Sequence, residues 1–210
     1  MPKVTTVKSA RAVPIPRTCR VCQHEIAVGE SYKFFQKRFS PKVFYCSNHY
    51  PKGSDMVGGK AGDLMRIGED LDDSLLGADT IEDIESALDT AMNDAEELAE
   101  ELRQSVSNIE DGFGHTTMVS DELEERADAI ESWGSELESA KDNLEGPEDE
   151  PEEPGDEPLK ASFTNEREFE EAHDAWEELE AAHTEWTEAQ TDWLDTAKEA
   201  AREAGMAIPG

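Results

Sequence analysis

Cysteine is scarce in this chain, with three in 210 residues. A small odd number fits no framework of paired disulfides and excludes the disulfide-stapled secreted scaffolds. Long apolar runs are missing as well: no stretch of about 18 apolar residues occurs, so no membrane-spanning helix and no membrane partner are expected. The N-terminal MPKVTTVKSARAVPIPRT is basic but has no apolar centre of the kind a secretory signal needs, so the protein is expected to stay inside a cell. Hydrophobic residues make up 36% of the chain against 33% charged, too little for one large globular core, so separate pieces are expected. Basic residues are sparse beyond the first quarter. Residues 55–210 hold 9 Lys or Arg against 49 acids, whereas residues 1–54 hold 10 against 2, which splits the formal charge of −32 into about −40 and +8. Among 51 acids, chance carboxylate pairs carry no signal, and no Ser-His-Asp order or phosphate loop stands above them; the expectation is a protein that is not an enzyme.

The three cysteines that are present fall into a pattern. TCRVCQH holds Cys19 and Cys22, and YCSNHY holds Cys46 and His49, so two x2-spaced pairs are separated by twenty-three residues. A redox Cys-x-x-Cys would open a helix within a βαβ unit, and none follows Cys22. Three thiolates and an imidazole are the ligand set that tetrahedral zinc prefers, and each x2 spacing lets one tight turn aim both side chains at a common point. One structural zinc ion is therefore expected on Cys19, Cys22, Cys46 and His49, with no open coordination position for catalysis. His24 is the competitor for the place of His49. Between the pairs, SYKFFQ (31–36) and KVFYC (42–46) are aromatic and β-branched runs around KRFSP, the pattern of a β-hairpin. A module this short buries little surface, so about 10–16 kcal/mol of zinc-binding energy would supply most of its stability. Lys33, Phe35, Lys37, Arg38, Phe39 and Lys42 interleave cations with rings, a surface that could stack nucleobases and neutralise phosphates. The alternative is that the rings cover the metal clips and the lysines solvate the other face.

From Thr80 onward the period changes. Ile81, Ile84, Leu88, Ala91, Ala95, Leu98, Leu102, Ser105 and Ile109 form a helical stripe, with Asp79 or Thr80 as its cap. Leu123, Ile130, Leu137 and Leu144 recur at sevens with Ala127, Trp133 and Ala140 between them, and Ser120 reads as the N-cap. DGFGHTTMV (111–119) between these runs reverses the chain, with Gly112 and Gly114 free to turn left-handed, Phe113 folding back as a plug and His115 in ordinary turn chemistry. EGPEDEPEEPGDEPLKA (145–161) is an extended acidic linker. A last helix from about Asn165 to Ala204 carries Phe169, Trp176, Leu179, Trp186 and Trp193 on one stripe, as bundle core or as a partner-binding face, with His183 a partly buried core position.

The fold class expected is mainly α. A small N-terminal zinc-ribbon or treble-clef-like β-hairpin module precedes a long antiparallel helical hairpin and a third amphipathic helix, closing a three-helix coiled-coil bundle. The pieces are a basic arm (1–16), the zinc module (17–54), a connector with a short helix (55–79), the helical hairpin (80–144), the linker (145–161) and the C-terminal amphipathic helix (162–205). A surface at −40 needs compensation, from high salt in a halophilic setting, from a basic partner, or from the chain's own N-terminal module.

NIEDGFGHTTMVSDELEERADAIESWGSELESA (108–140) resembles a group of uncharacterised proteins from tailed viruses of bacteria and archaea, which join a Cys-rich finger of the poly(ADP-ribose) polymerase type to a helical hairpin with a GFGH turn. The resemblance spans about residues 15–145 and implies that Cys19, Cys22, Cys46 and His49 are metal ligands. In the polymerase-type finger the His precedes the last Cys, whereas here Cys46 precedes His49, so DNA-break recognition does not carry over. The resulting expectation is a zinc-binding viral interaction or adaptor protein of host cytoplasm or virion, with a viral or host protein as partner and a monomer favoured over a homo-oligomer. The alternatives are a nucleic-acid-binding finger regulated by its acidic arm, or an acidic DNA mimic.

Overall fold

A computed structural model describes residues 2–11, 17–144, 151–159, 162 and 164–209. Residues 12–16 of the expected basic arm, and 145–150 and 160–161 of the expected linker, lie outside the described residues. The chain is mainly helical with a small N-terminal β module, as its composition and periodicity imply. Strands β1 (Thr5–Val7), β2 (Arg17–Thr18), β3 (Glu25–Ile26), β4 (Tyr32–Gln36) and β5 (Lys42–Cys46) precede helices α1 (Gly53–Met56), α2 (Lys60–Leu76), α3 (Ile81–Phe113), α4 (Met118–Asp142) and α5 (Glu166–Met206). Among the described residues no helix is long and apolar enough to cross a membrane.

The chain divides into two compact units, residues 1–70 with 93–131 and 208–210, and residues 71–92 with 132–207. In the first, β4 and β5 form the hairpin expected from SYKFFQ and KVFYC, in antiparallel register from Tyr32 opposite Cys46 to Gln36 opposite Lys42. Part of the expected basic arm is a strand: β1 adds antiparallel to β4. The β-branched run VTTV fits an edge strand, and edge position suits a segment next to prolines. Pleating sends Phe35 and Tyr45 to one face, where they are buried with Cys19 and Cys46, and Tyr32, Phe34 and Phe44 to the other, beside Ala10 and Ile26. The connector expected to hold a short helix is mostly the 17-residue α2, with Leu64 and Ile67 buried.

The same unit contains the tip of the helical hairpin. Gly114, at φ +72°, ends α3 by donating to Glu110 O at 2.7 Å. Gly112 stays helical and Phe113 is 66% exposed, so the aromatic plug does not form. His115 Nδ1 lies 2.9 Å from Phe113 O, ordinary turn chemistry. The cap of α4 is Thr117 in place of Ser120: Thr117 Oγ1 accepts from Ser120 N–H, and Ser120 Oγ accepts from Thr117 N–H at 2.7 Å. This reciprocal pair satisfies donors at both ends of the first turn and buries Ser120. Arg103 on α3 reaches Asp128 and Glu131 on α4 at 3.0 and 2.5 Å.

In the second unit, Thr80 and Asp83 form the N-terminal box of α3. Thr80 Oγ1 accepts from Asp83 N–H at 3.2 Å, and Asp83 accepts from the N–H groups of Asp79 and Thr80. Those donors, Asp79 first, hold the Asp83 carboxyl below the usual range. The core is built from Leu71, Leu75, Ile84, Leu88, Trp133 and Leu137, and α5 contributes Ala197, Ala201 and Gly205. Trp133 Nε1 donates to Ala204 O at 2.9 Å, and a Cβ on Gly205 would sit 2.8 Å from Leu71 Cδ2. At this end α5 packs by small residues. Phe169, Trp176, Leu179, Trp186 and Trp193 are half-buried, and His183 with them. Asn165 caps α5 by accepting from Glu168 N–H at 2.9 Å.

Trp133 is 2% exposed, and its loss leaves a cavity and removes one of the two hydrogen bonds that Ala204 O accepts, the other coming from Ala207 N–H. Trp133→Ala is expected to destabilise the helical part by about 3–5 kcal/mol in urea unfolding followed by circular dichroism. Trp133→Phe keeps most of the volume and should cost roughly half of that.

Candidate metal centre

Cys19 follows β2 and Cys22 precedes β3, so the two-residue pairing of Arg17 with Ile26 and Thr18 with Glu25 closes a tight loop around the first pair of thiols. The loop is held by Cys19 N–H to His24 O at 2.8 Å and by Gln23 N–H to Cys19 O at 3.0 Å. Gln23 adopts φ +58°, the left-handed turn that reverses the chain there at some cost for a residue with a side chain. The second pair sits where β5 ends: Cys46 is its last residue, and His49 N–H donates to Cys46 O at 3.3 Å. Arg20 N–H donates to Phe44 O at 2.9 Å and ties the first loop to β5.

These elements bring the three Sγ atoms and the His49 ring nitrogen within 4.8 Å of one another. Cys22 Sγ to Cys46 Sγ is 3.9 Å, Cys19 Sγ to His49 Nδ1 is 3.5 Å, and Cys46 Sγ to His49 Nδ1 is 3.2 Å. For a tetrahedral zinc with about 2.3 Å to sulfur and about 2.0–2.1 Å to nitrogen, the edges come to about 3.8 Å between sulfurs and about 3.5 Å from sulfur to nitrogen. The Cys22–Cys46 and Cys19–His49 separations match those edges, the Cys46–His49 one is about 0.3 Å shorter, and all three cysteines are free thiols. Such a donor set fits zinc, with every position taken by protein. His24 is not part of it: its Nε2 lies 3.0 Å from Glu30 Oε2. A second grouping, His173 with Asp174 and Glu177 on α5, has no thiolate and faces solvent.

The electrostatics of the cluster are those of crowded thiols. Burial pushes the Cys19 thiol up, but hydrogen bonds from the backbone N–H groups of Cys22, Cys46 and Val21 outweigh it and bring it down to about 6. At Cys22 the His24 backbone N–H pulls down, while desolvation and the sulfurs of Cys19 and Cys46 push up, and the net direction is up. Three thiolates and a neutral imidazole around a divalent ion would leave one net negative charge. Lys33 answers it: its Nζ donates to Ser47 O at 2.8 Å and His49 O at 3.0 Å, clamping the second loop. Asp55 performs the matching task on the other side. It accepts from Tyr45 Oη at 2.8 Å and from Lys52 N–H at 3.2 Å, and pairs with Arg20 at 3.5 Å. Burial and Asp55 together push the Tyr45 phenol well above its ordinary range, so it stays a donor.

The residues expected to touch nucleic acid separate into two groups. Phe35 is 1% exposed and stacks on Tyr45, so it cannot receive a base. Lys33 is held at the metal loop, and Lys37 Nζ donates to Val57 O at 2.8 Å. Arg38, Phe39 and Lys42 stay at the surface; Phe39 is 92% exposed at φ +62°, with the Arg38 guanidinium 4.8 Å from its ring centre. The clamp roles of Lys33 and Asp55 are not written in the ligand spacing. A lysine on a strand whose register places it beside the second clip was the available signal for the first; nothing local marks Asp55. Comparison with protein-family models, with curated proteins and with solved structures returns no match to this chain.

The geometry separates the two histidines. His24→Ala is expected to leave zinc affinity within a few-fold in a chelator competition, whereas His49→Ala removes a ligand and Lys33→Met should weaken binding by about 10–100-fold through its loss from the second loop.

Proposed function

We propose that the chain is a non-enzymatic zinc-binding interaction protein, in which one structural zinc ion on Cys19, Cys22, Cys46 and His49 organises a basic module attached to strongly acidic helices. The observation that carries this reading is the set of donor separations of 3.2, 3.5 and 3.9 Å, which lie close to the edges that a zinc tetrahedron would have. With four protein donors no position is left for a substrate, so the ion's work is to fold the module. The charge split then suits docking: a compact basic piece, and helices whose acids make a second surface of opposite sign. The resemblance of residues 108–140 to tailed-virus proteins supports placing such an adaptor in an infected cell or a virion, and the acidity supports a salt-rich setting in which screening removes the self-repulsion. Metal analysis of the purified full chain should find about one zinc per chain. Cys46→Ala should bind none and lose the structured signals of residues 17–54 while α3 and α4 stay helical. An unchanged module in Cys46→Ala, with no metal in either protein, overturns the reading.

A second reading, nucleic-acid binding, is favoured by a specific feature of the sheet. Tyr32, Phe34 and Phe44 share one face with centroids 5.9–6.2 Å apart; Arg17 lies 4.8 Å from the Tyr32 ring centre, and Lys42 4.6 Å from that of Phe34. Tyr32 is 7% exposed and part of the core, so the half-buried Phe34 and Phe44, with Lys42 beside them, are the rings on which a single strand would stack. Binding of a fluorescent single-stranded oligonucleotide should weaken with salt, Phe34→Ala should cost about 1–3 kcal/mol, and Lys42→Gln should lower the salt slope by about one. Absence of binding at low salt excludes it.

A further inference from the structure

Phe39 is placed where neither folding nor hydration favours it. It is 92% exposed and holds φ +62°, the left-handed region that a bulky side chain occupies only under strain. Glycine there would relieve the strain, so stability does not account for the ring. The turn around it is well fixed. Ser40 N–H donates to Lys37 O at 3.1 Å, Gln36 Nε2 donates to Ser40 O at 2.8 Å, and Lys37 Nζ is held on Val57 O. The Arg38 guanidinium lies beside the ring, and no acid occurs anywhere from residue 31 to residue 54. The β4–β5 turn thus presents an aromatic knob in basic surroundings.

The complementary surface stands at the tip of the helical hairpin. Of the ten exposed large apolar side chains among the described residues, Phe113, Met118 and Val119 fall within seven residues there, at 66, 76 and 54% exposure. A Cβ on Gly112 or Gly114 would meet nothing within 4 Å, so the surface beside Phe113 is open. The turn's own polar groups are already occupied, by Gly114 N–H on Glu110 O, His115 on Phe113 O and the Thr117–Ser120 pair. Between Arg103 and Arg126 there are six acids and no Lys or Arg. Glu110 and Asp111 lie in the last turn of α3, where the helix dipole disfavours negative charge, and that turn holds no basic residue to offset it. An apolar tip ringed by carboxylates repels nucleic acids and anionic membranes and suits a basic surface that carries a ring.

We propose that the Arg38–Phe39 turn of one copy of this chain docks on the 113–119 tip of another, with Phe39 packed on Phe113, Met118 and Val119 and Arg38 set against Glu110 and Asp111. Both surfaces belong to the first compact unit, and the exposure of Phe39 and Phe113 means that they do not pack on each other within one chain. The two patches differ, so the contact is head to tail: each pair leaves one knob and one tip unfilled, and association continues past the dimer. Small patches make it weak and reversible. The inference supplies a partner for the docking role in the proposed function and rests on that reading.

The test follows the full chain, purified with zinc, by sedimentation velocity over a concentration series at about 0.15 M salt. Screening over about 8 Å then suppresses repulsion between distant acids and spares charges in contact. Species that grow with concentration are expected. Phe39→Gly should be monomeric and at least as heat-stable as the unaltered chain, a combination that a structural role for the ring does not allow. Phe113→Ala with Met118→Ala should also be monomeric, with helical circular dichroism unchanged, and Arg38→Glu should weaken association at least tenfold. Mixing Phe39→Gly with the double variant should give a one-to-one pair and nothing larger, because one intact knob meets one intact tip. A chain that stays monomeric at every concentration overturns the proposal, as does an assembly that Phe39→Gly leaves intact. Failure of the mixture to pair overturns the head-to-tail contact, and loss of oligonucleotide binding in a monomeric Phe39→Gly assigns the knob to nucleic acid instead. Zinc content of the same samples separates the readings: a zinc-loaded monomer sinks only this inference, whereas a zinc-free assembly sinks only the metal centre.

Discussion

Three sulfur atoms gathered around one imidazole repel one another once they ionise, and each loses solvation if it does not. That constraint governs the N-terminal module. Its effect is visible in opposite directions at neighbouring residues: the Cys19 thiol is drawn down to about 6 by backbone N–H groups, while Cys22 is pushed up by the sulfurs beside it. A divalent cation bound there would reconcile the two by stabilising all the thiolates together. The module has little else to hold it. Its apolar residues form two small clusters on opposite faces of one hairpin, and its two-stranded sheet is two residues long on each side. The polar residues around the site have matching tasks. Lys33 closes the second loop from β4, and Asp55 joins Arg20 of the first loop to Tyr45 of β5 and to the start of α1.

In the helices the problem is inverted, because there the charge is of one sign and in excess. Cations on the helices are set against carboxylates of a neighbouring helix, Arg103 against several. Arg103 takes Glu124, Asp128 and Glu131; Lys141 takes both oxygens of Asp89; Lys60 takes Glu101. These pairs are largely exposed and each contributes little on its own. Their value lies in placing the positive charge between neighbouring helices, where repulsion would be greatest, and leaving the apolar stripes to supply the stability. Buried Leu88, Leu98, Leu102, Ile130 and Leu137 carry that load.

Periodicity and spacing made the ligand quartet, the hairpin strands and the helical stripes legible, because each is written in residues close together in sequence. Both clips, the two strands from Tyr32 and Lys42, and the buried run from Ile84 to Leu102 follow from local pattern alone. What escaped depends on tertiary placement. Phe35 reads like Phe34 in the sequence, and only the pleat relative to Cys19 decides that one is core and the other half-exposed. The arm reads only as basic, and nothing local shows that its VTTV segment finds an edge donor and acceptor row on β4. Thr117 displaced Ser120 as a cap because either hydroxyl suits, and the choice rests on where the turn after Gly114 releases the chain.

The end of α5 packs by small residues for a reason of volume. Helices pack with axes about 8–10 Å apart, a spacing that large side chains on both partners cannot share. Here α4 already supplies the large residue, Trp133, fully buried with its N–H on Ala204 O. The partner surface must then be small, and α5 presents Ala197, Ala201 and Gly205 at that level, the last so close to Leu71 that an added Cβ would collide with its side chain. Tryptophan could not have filled the same place. The rings of α5 are confined to the earlier turns, where no Trp133 competes for the volume, and a single continuous helix thereby changes from a small-residue docking face at its end to a wide aromatic seam along its first twenty-five residues.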